Sequence, residues 1–268
     1  MNKTLDYTVS KIDNGEKTSC EELLVCEYPM TIFLNNKKIA TLLCSPENLE
    51  ELAIGFLRTE NLIDSIKDIT SLKLDMNKGT AYIETNLKEI NTKNFQSKKI
   101  KFQNNNVLVE ENIEKFLDSL CCNPVESELA IEIDKIFEFM KENLNYSETF
   151  KNTGGVHSIA LSDREKILVI CEDVARHNAM DKTIGYALKN EISLKDKIMI
   201  LSGRVSLEMI LKAARMEIPI IISKSAPTTL SVSLANKLNI TLVGFVRKNK
   251  MNIYSNGQRV IESNLIVK

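Results

Sequence analysis

The chain has 268 residues, of which 43% are hydrophobic and 26% are charged, the balance of an ordinary folded protein that stays in solution. Its formal net charge is −1 and its basic residues are scattered, which excludes a strongly basic surface for nucleic acid. No apolar run approaches the roughly 20 residues of a membrane span, and no signal peptide is recognisable. We therefore expect a cytoplasmic protein with neither a membrane nor a nucleic-acid partner. Its six cysteines should be reduced, and they form no paired CxxC motif for a metal site.

The N-terminal part of the chain predicts a small, strand-rich α+β domain over residues 1–110. Strands are expected at Leu23–Tyr28, Thr31–Leu34, Lys38–Leu43 and Ala81–Thr85. A helix should follow the third of these strands, because Ser45 is a good N-cap and Pro46 suits the first helical position. The apolar residues of this helix recur at helical spacing and predict one buried face, formed by Leu49, Leu52, Ala53, Phe56 and Leu57.

Residues 111–150 predict a helical segment that carries two adjacent cysteines. The expected helices are Asn112–Leu120 and Glu126–Leu144. Asn123 as N-cap and Pro124 as first helical residue would place Cys121 and Cys122 just before a helix N-terminus. The positive end of that helix would lower a thiol pKa, so both cysteines are candidate nucleophiles. The alternative is that they are small buried apolar residues, as expected for Cys26, Cys44 and Cys171.

Strand and helix signals alternate in the C-terminal part, residues 151–268. The expected strands are Val156–Leu161, Lys166–Cys171, Lys197–Leu201, Ile218–Ile222 and Ile240–Val246. The expected helices are Asn178–Leu188, Ser206–Met216 and Thr228–Leu238. This alternation predicts an α/β domain with a largely parallel sheet.

Three strand-to-helix turns of this domain are unusually polar: residues 172–178, 202–206 and 223–229. In a parallel sheet such turns gather at the carboxyl ends of the strands, and each opens a helix whose free N–H groups favour an anion such as phosphate. Each turn also has a cation, namely Arg176, Arg204 or Lys224. Further candidate ligand contacts at these turns are Asn178, Lys182, Ser202, Gly203, Ser225 and Thr228. The alternative is that the turns only cap their helices.

Both histidines of the chain lie in the C-terminal part. His157 lies just beyond Gly154 and Gly155, after Val156, and His177 lies between Arg176 and Asn178 in the first polar turn. Each histidine is either a structural residue or a residue that contacts the ligand. For His177, the neighbouring Arg176 and Asn178 favour a ligand contact. Neither a G-x-x-x-x-G-K-[ST] loop nor a G-x-G-x-x-G turn occurs, so neither common nucleotide motif is supported.

The same residues carry a family resemblance. The chain reads Glu-Leu-Ala-Ile-Gly-Phe-Leu at 51–57, Thr-Gly-Gly-Val-His at 153–157, Arg-His-Asn-Ala at 176–179, Ser-Gly-Arg at 202–204 and Ser-Ala-Pro-Thr at 225–228. In this order, over most of the chain, these segments resemble the signature blocks of the FdhD family, the formate dehydrogenase accessory sulfurtransferases.

The resemblance implies a cytidine-deaminase-like α/β/α domain at the C-terminal end. It implies that a loop cysteine accepts sulfur as a persulfide from a cysteine desulfurase. The sulfur then passes to the molybdenum or tungsten bis-pyranopterin guanine dinucleotide cofactor on its way into formate dehydrogenase. The cofactor is a transient cargo whose guanine nucleotide end occupies the crevice, and the protein is a homodimer. The part of the family that holds this cargo matches Phe245, Val246, Arg247, Lys248, Asn249 and Lys250.

The cysteine loop departs from the family pattern, which usually reads Cys-Gly-x-Cys-Gly. Cys121 matches the first cysteine, Cys122 replaces a glycine, and Pro124 stands where the second cysteine is expected. One thiolate is enough to carry a persulfide, and the adjacent Cys122 would serve as resolving thiol. The alternative is a chaperone that only holds and hands over the cofactor. A zinc deaminase is excluded, because His157 begins no H-x-E motif and no P-C-x-x-C motif occurs.

Replacing Arg204 with alanine should weaken guanine nucleotide binding about tenfold, because a charge-assisted hydrogen bond to phosphate is worth roughly 1.5 kcal/mol or more. Calorimetric titration with GDP measures this change. An unaltered affinity would contradict the placement of Arg204 at the phosphates.

Overall fold

The computed structural model describes residues 1–87, 118–120 and 122–262 of the chain. Cys121 and most of the predicted helix Asn112–Leu120 lie outside these residues, as does the strand-rich stretch expected after residue 87. The described residues form a mixed α/β fold with two larger sheets and two small ones. None of their helices is long and apolar enough to cross a membrane.

The chain begins with a two-stranded antiparallel ribbon that the sequence did not predict. Strand β1 is Thr4–Asp13 and strand β2 is Glu16–Val25, and they pair along their whole length. The predicted strand Leu23–Tyr28 is therefore divided, since β2 ends at Val25 and the next strand begins at Tyr28. The ribbon forms a sheet of its own.

The N-terminal part contains a four-stranded sheet in the order β4-β3-β6-β5, covered by one helix. The strands are β3 Tyr28–Leu34, β4 Lys37–Cys44, β5 Ile69–Asp75 and β6 Thr80–Thr85, and helix α1 is Leu49–Thr59. Alternate strand residues and the apolar face of α1 form one buried cluster, as the 2-residue and 3.6-residue periods require. Its members include Met30, Ile32, Leu34, Leu52, Leu57 and Ile83.

The predicted start of helix α1 at Ser45 and Pro46 is wrong. The helix begins at Leu49, after Asn48, whose backbone is left-handed with φ of 50°. Ser45 is held by more distant partners: its N–H donates to Oδ2 of Asp173 over 2.9 Å, and its hydroxyl oxygen accepts from the N–H of Val174 over 3.1 Å. Tertiary hydrogen bonds thus override a local capping signal at this position.

The predicted helix Glu126–Leu144 begins later than expected. Helix α2 is Ile133–Tyr146, it follows the short strand β7 Ile131–Glu132, and residues 122–130 have no regular secondary structure. Asn123 and Pro124 therefore do not open a helix, and the expected helix dipole beside Cys122 is absent from the described residues. The reason is packing, because the N–H of the buried Val125 donates to the carbonyl oxygen of Leu238 over 2.8 Å.

The C-terminal part contains a six-stranded sheet in the order β13-β12-β11-β10-β8-β9. Its strands are β8 His157–Ser162, β9 Ile167–Asp173, β10 Ile198–Leu201, β11 Ile220–Ser223, β12 Thr241–Arg247 and β13 Lys250–Ser255. Two of the five strand pairings are parallel and three are antiparallel, so the expectation of a largely parallel sheet is wrong. The short turn at Asp163–Lys166 joins β8 to β9 and forces them to be antiparallel.

The strand directions nevertheless leave one edge common to four strands. β10, β11 and β12 are mutually parallel, and β8 is antiparallel to both β10 and β9. Hence β9 runs in the same direction as β10, β11 and β12. The carboxyl ends of all four strands meet at the same edge of the sheet, together with the amino end of β8.

Helices cover both faces of this sheet and give three layers. Helices α4 Arg176–Lys189, α5 Leu207–Arg215 and α6 Thr229–Lys237 pack on one face, and α2 packs on the other. A short helix, α3 Glu148–Thr153, and a two-stranded parallel pairing of β14 Val260–Ile261 with β7 complete the fold. Residues of β10 alternate between the layers: Met199 faces the first cluster, and Ile198 and Ile200 face the second.

Helix α1 of the N-terminal part packs directly on helix α4 through two glycines. A Cβ added to Gly55 would lie 1.8 Å from the carbonyl oxygen of Asp181, and one added to Gly185 would lie 1.9 Å from that of Glu51. The two backbones therefore approach more closely than any side chain permits. This contact fixes the N-terminal part against the C-terminal sheet.

Replacing Gly185 with alanine should destabilise the protein by about 1–3 kcal/mol or more, because the new methyl group would overlap helix α1. The sign of the change in unfolding free energy distinguishes the two cases, since glycine to alanine in an uncrowded helix stabilises a protein by roughly 1 kcal/mol. Urea unfolding measures the effect. Gly257→Ala is the matched control, because its new Cβ would meet only the side chain of Ile253, at 3.2 Å. A more stable Gly185→Ala variant would contradict the close helix contact.

Candidate anion-binding crevice

The three predicted polar turns lie together at the common sheet edge, as expected. The N–H of Ser202 donates to the carbonyl oxygen of Ser158 over 3.0 Å, which joins the second turn to β8. The N–H of Val205 donates to the carbonyl oxygen of Ala226 over 3.1 Å, which joins the second turn to the third. The turns are therefore parts of one surface.

The first and second turns meet at their glycine and histidine residues. A Cβ on Gly203 would lie 3.0 Å from Nδ1 of His157 and 3.7 Å from Cδ of Arg176, so only glycine fits without displacing the imidazole. Nε2 of His177 lies 3.2 Å from the hydroxyl oxygen of Ser206. The structure thus brings together four predicted residues of the crevice: Arg176 and His177 from the first turn, Gly203 from the second, and His157 at the start of β8.

Two of the three helix N-termini at this edge have no side-chain cap. The N-cap of α4 is Ala175, which has no polar side chain, and the N-cap of α5 is Ser206, whose hydroxyl faces His177 instead. The N-terminus of α6 is closed by a capping box between Thr228 and Ser231. The open amides of α4 and α5 favour an anion, whereas the hydroxyl of the exposed Thr228 is already used within its own helix.

Arg176 supplies the strongest sign that an anion fits here. Its Nε is buried and has no hydrogen-bond partner among the residues that the structure describes. A buried guanidinium nitrogen without a partner is costly, and a phosphate oxygen is a partner of the right charge and geometry. The crevice between the first two turns therefore suits an anionic group.

Both histidines of the crevice are held in the neutral form. Burial lowers the pKa of His157, and the nearby Arg176 lowers it further, against an opposing effect of Asp173. Burial also lowers the pKa of His177, which Glu208 partly opposes and Arg176 again reinforces. Near neutral pH both rings can thus donate and accept hydrogen bonds without charge.

Two predicted contacts, Lys182 and Asn178, do not reach the crevice. Lys182 is fully buried, and its Nζ lies 2.7 Å from Oδ2 of Asp173. The Nδ2 of Asn178 donates to the carbonyl oxygen of Leu43 over 2.7 Å and to Oδ1 of Asp173 over 3.0 Å. Both side chains support the first turn from below. Asp173 lies within the first predicted polar turn but was not among the predicted contacts, because a motif does not show which of its side chains are buried.

The remaining predicted contacts lie in the second turn, in the third turn and in the β12–β13 hairpin. The N–H of Phe245 donates to the carbonyl oxygen of Ser225 over 3.2 Å, and Phe245 has a left-handed backbone with φ of 52°. That conformation is strained for a bulky residue and is typical of functional sites. Most other side chains here are accessible: Ser202, Lys224 and Ser225 are half-buried, and Arg204, Phe245, Arg247, Lys248, Asn249 and Lys250 are exposed. Val246 is the exception, because its side chain is buried in the core.

Cys122 lies at the other end of the C-terminal sheet. The segment around it is bracketed by two contacts with the end of helix α6: Lys237 pairs with Asp118, and the carbonyl oxygen of Leu238 accepts from Val125. The opposite end of α6 lies at the third polar turn, about 13 Å away for a helix of nine residues. Cys122 is half-buried, and its Sγ lies 3.6 Å from the carbonyl oxygen of Leu120.

Two other cysteines are structural. Cys44 and Cys171 are buried, as predicted, and burial raises their thiol pKa to about 12 and about 11. Such thiols stay protonated and unreactive near neutral pH. In the described residues, no group of histidine, cysteine and acidic side chains is arranged to hold a metal ion.

The described residues form a mixed α/β fold with three polar turns and uncapped helix N-termini at one sheet edge and Cys122 toward the other. This arrangement suits the class of proteins that bind an anion. The comparisons with known proteins narrow this class. The model of the FdhD/NarQ family matches residues 25–261, and the chain belongs to this family. The resemblance noted in the sequence is thereby confirmed.

Relatives from several bacteria are similar over nearly their whole length. The sulfur carrier protein FdhD of Staphylococcus aureus (strain MRSA252) is 37% identical over 276 residues, covering 98% of this chain and 99% of its own. The protein of the same name from Geobacillus kaustophilus is 36% identical over 253 residues, covering 94% of this chain and 95% of its own. A crystal structure described as that of a formate dehydrogenase accessory protein from Desulfotalea psychrophila superposes with a TM-score of 0.81. It is 26% identical and covers 97% of this chain and all of its own.

Replacing His157 with glutamine should reduce the loss of stability on acidification. Because the folded-state pKa of His157 is lowered, the unfolded chain binds more protons below about pH 6.5, and stability falls as the pH decreases through that region. Urea unfolding at several pH values between about 7 and 5.5 measures the slope, and glutamine removes this contribution. An unchanged slope would mean that His157 titrates alike in the folded and unfolded states.

Proposed function

We propose that the protein is a sulfur carrier, a sulfurtransferase that passes persulfide sulfur from a cysteine desulfurase to a molybdenum or tungsten bis-pyranopterin guanine dinucleotide cofactor. The recipient of the finished cofactor is a formate dehydrogenase. The names of the relatives support sulfur carriage and formate dehydrogenase maturation. The single structural observation that carries the cargo assignment is the buried, unpartnered Nε of Arg176 between two uncapped helix N-termini.

The crevice would hold the guanine nucleotide end of the cargo by its phosphates. The open amides of α4 and α5 and the side chains of Arg176 and Arg204 supply donors and positive charge. The neutral rings of His157 and His177 border the same space. The exposed hairpin residues Phe245–Lys250 would extend the contact toward the rest of the cargo.

Sulfur loading would take place at Cys121. Its thiolate attacks the outer sulfur of the desulfurase persulfide, the S–S bond of that persulfide breaks, and the desulfurase leaves as a thiolate. Cys122 is the candidate resolving thiol. Since Cys122 lies toward the end of the sheet away from the crevice, delivery requires sulfur and cargo to be brought together. The cargo is elongated, with its nucleotide ends far from its metal. A cargo held in the crevice by its nucleotide end can therefore extend its metal toward the cysteines, which shortens the distance that the sulfur must cross.

The finer structural assignments belong to the same proposal. We assign the C-terminal domain to the cytidine-deaminase-like folds, which the three layers and the antiparallel β8 between the aligned strands β9 and β10 support. We retain the division into residues 1–110, 111–150 and 151–268, a homodimeric state and a cytoplasmic location, where thiols stay reduced.

The alternative function is a chaperone that binds and hands over the cofactor without carrying sulfur. The absence of a second cysteine at the position of Pro124 favours it. The two functions share the crevice and differ only in the chemistry of Cys121 and Cys122.

Loading the protein with a cysteine desulfurase and cysteine should add the mass of one sulfur atom to the peptide that contains Cys121 and Cys122. Intact-peptide mass spectrometry detects this adduct, and a reductant should remove it. Cys44→Ala is the matched control, because the raised thiol pKa of Cys44 predicts no part in loading.

The double variant Cys121→Ala, Cys122→Ala separates the two functions. A sulfurtransferase loses the adduct and no longer activates formate dehydrogenase. If the double variant still activates the enzyme fully, the chaperone is correct and the sulfur carrier is excluded.

A further inference from the structure

Asp173 and Lys182 form an ion pair in the interior of the protein, and the side chains of both are fully buried. Nζ of Lys182 also donates to the carbonyl oxygens of Ser45 and Glu172, over 3.1 and 3.2 Å. A buried ion pair adds little net stability over a well-packed apolar pair. The pair is therefore better explained by the positions of the neighbouring segments that it fixes than by the stability that it adds.

The carboxylate of Asp173 connects two distant segments of the chain. Oδ2 accepts from the N–H of Ser45, at the end of the N-terminal sheet. Oδ1 accepts from the N–H of Ala175 over 2.9 Å and from Nδ2 of Asn178 over 3.0 Å, in the first polar turn. The hydroxyl oxygen of Ser45 in turn accepts from the N–H of Val174. The backbone of the turn is thus fastened from its start to the first residues of helix α4.

Arg176 follows directly after this fastened backbone. Its side chain lies against Gly203 of the second turn, and its Nε is buried without a partner in the described part of the chain. A guanidinium that must meet an anion at hydrogen-bond distance tolerates displacements well below an ångström. Any movement of the turn would separate Arg176 from Gly203 and His157.

We propose that Asp173 and Lys182 are positioning residues of the anion crevice, which hold the turn bearing Arg176 against the turn bearing Gly203. Neither side chain touches the ligand. The inference rests on the proposed function only in taking the ligand to be a guanine nucleotide. It places control of cargo affinity at the junction of the N-terminal and C-terminal parts.

The two histidines allow a test without any ligand, because the chain has only His157 and His177 and both border the crevice. Proton NMR should show their ring signals and titration midpoints changed in Lys182→Met. The double variant Asp173→Asn, Lys182→Met leaves no unpaired buried charge and keeps the test available if the single variant unfolds. Arg259→Met is the control, because Arg259 is a buried cation that bonds to Asn239 at the opposite sheet edge. It should leave both histidines unchanged.

Calorimetry with GDP provides the second readout. The Lys182→Met change should weaken GDP binding about tenfold in the folded protein. In a protein that already has Arg176→Ala, adding Lys182→Met should cause no further loss of GDP affinity, because both changes act through the same guanidinium. Histidine signals and GDP affinity equal to wild type in folded Lys182→Met protein would overturn the proposal. If wild-type protein does not bind GDP while the histidine signals respond to Lys182→Met, the proposed cargo is wrong and the positioning role stands.

Discussion

The common direction of four strands is the constraint on which the crevice depends. Strands β9, β10, β11 and β12 end at one sheet edge, although the strand between β9 and β10 runs the opposite way. This arrangement brings the amino end of β8, with His157, into the same group of turns. A fully parallel sheet would have placed His157 at the far edge. The antiparallel strand therefore adds a ring nitrogen to the crevice while the helix N-termini stay together.

Much of the C-terminal part followed from the sequence, because its strands and helices are buried and their apolar periods are strong. The predicted turns lie where expected, and Arg176, His177, Ser202 and Gly203 meet at the edge. The antiparallel direction of β8 relative to β9 could have been derived, because a link as short as Asp163–Lys166 cannot join parallel neighbours. The position of β8 between β9 and β10 could not, because the sequence does not show which strand lies on its other side. The helix starts at Ser45 and Pro124 were wrong for one reason. In both places tertiary hydrogen bonds from distant residues outweigh a local capping signal worth about 1 kcal/mol.

Lys182 and Asn178 show a different limit of sequence reasoning. Both stand within a polar, cationic motif, and a motif does not reveal which of its side chains point inward. The helical period puts Lys182 about one and two-thirds turns beyond Arg176, on the face that packs under the turn. There its charge meets Asp173 and not a ligand. The polar residues of such a motif thus divide into those that contact the ligand and those that hold the contacts in place.

The capping box at the start of helix α6 has a consequence for where an anion would lie along the sheet edge. Thr228 and Ser231 each bond the other's main-chain N–H, whereas no side chain caps the N-terminus of α4 or α5. An anion at α6 would therefore compete with side-chain oxygens that one at α4 or α5 does not meet. This asymmetry favours the β9–β10 side of the edge over the β11–β12 side.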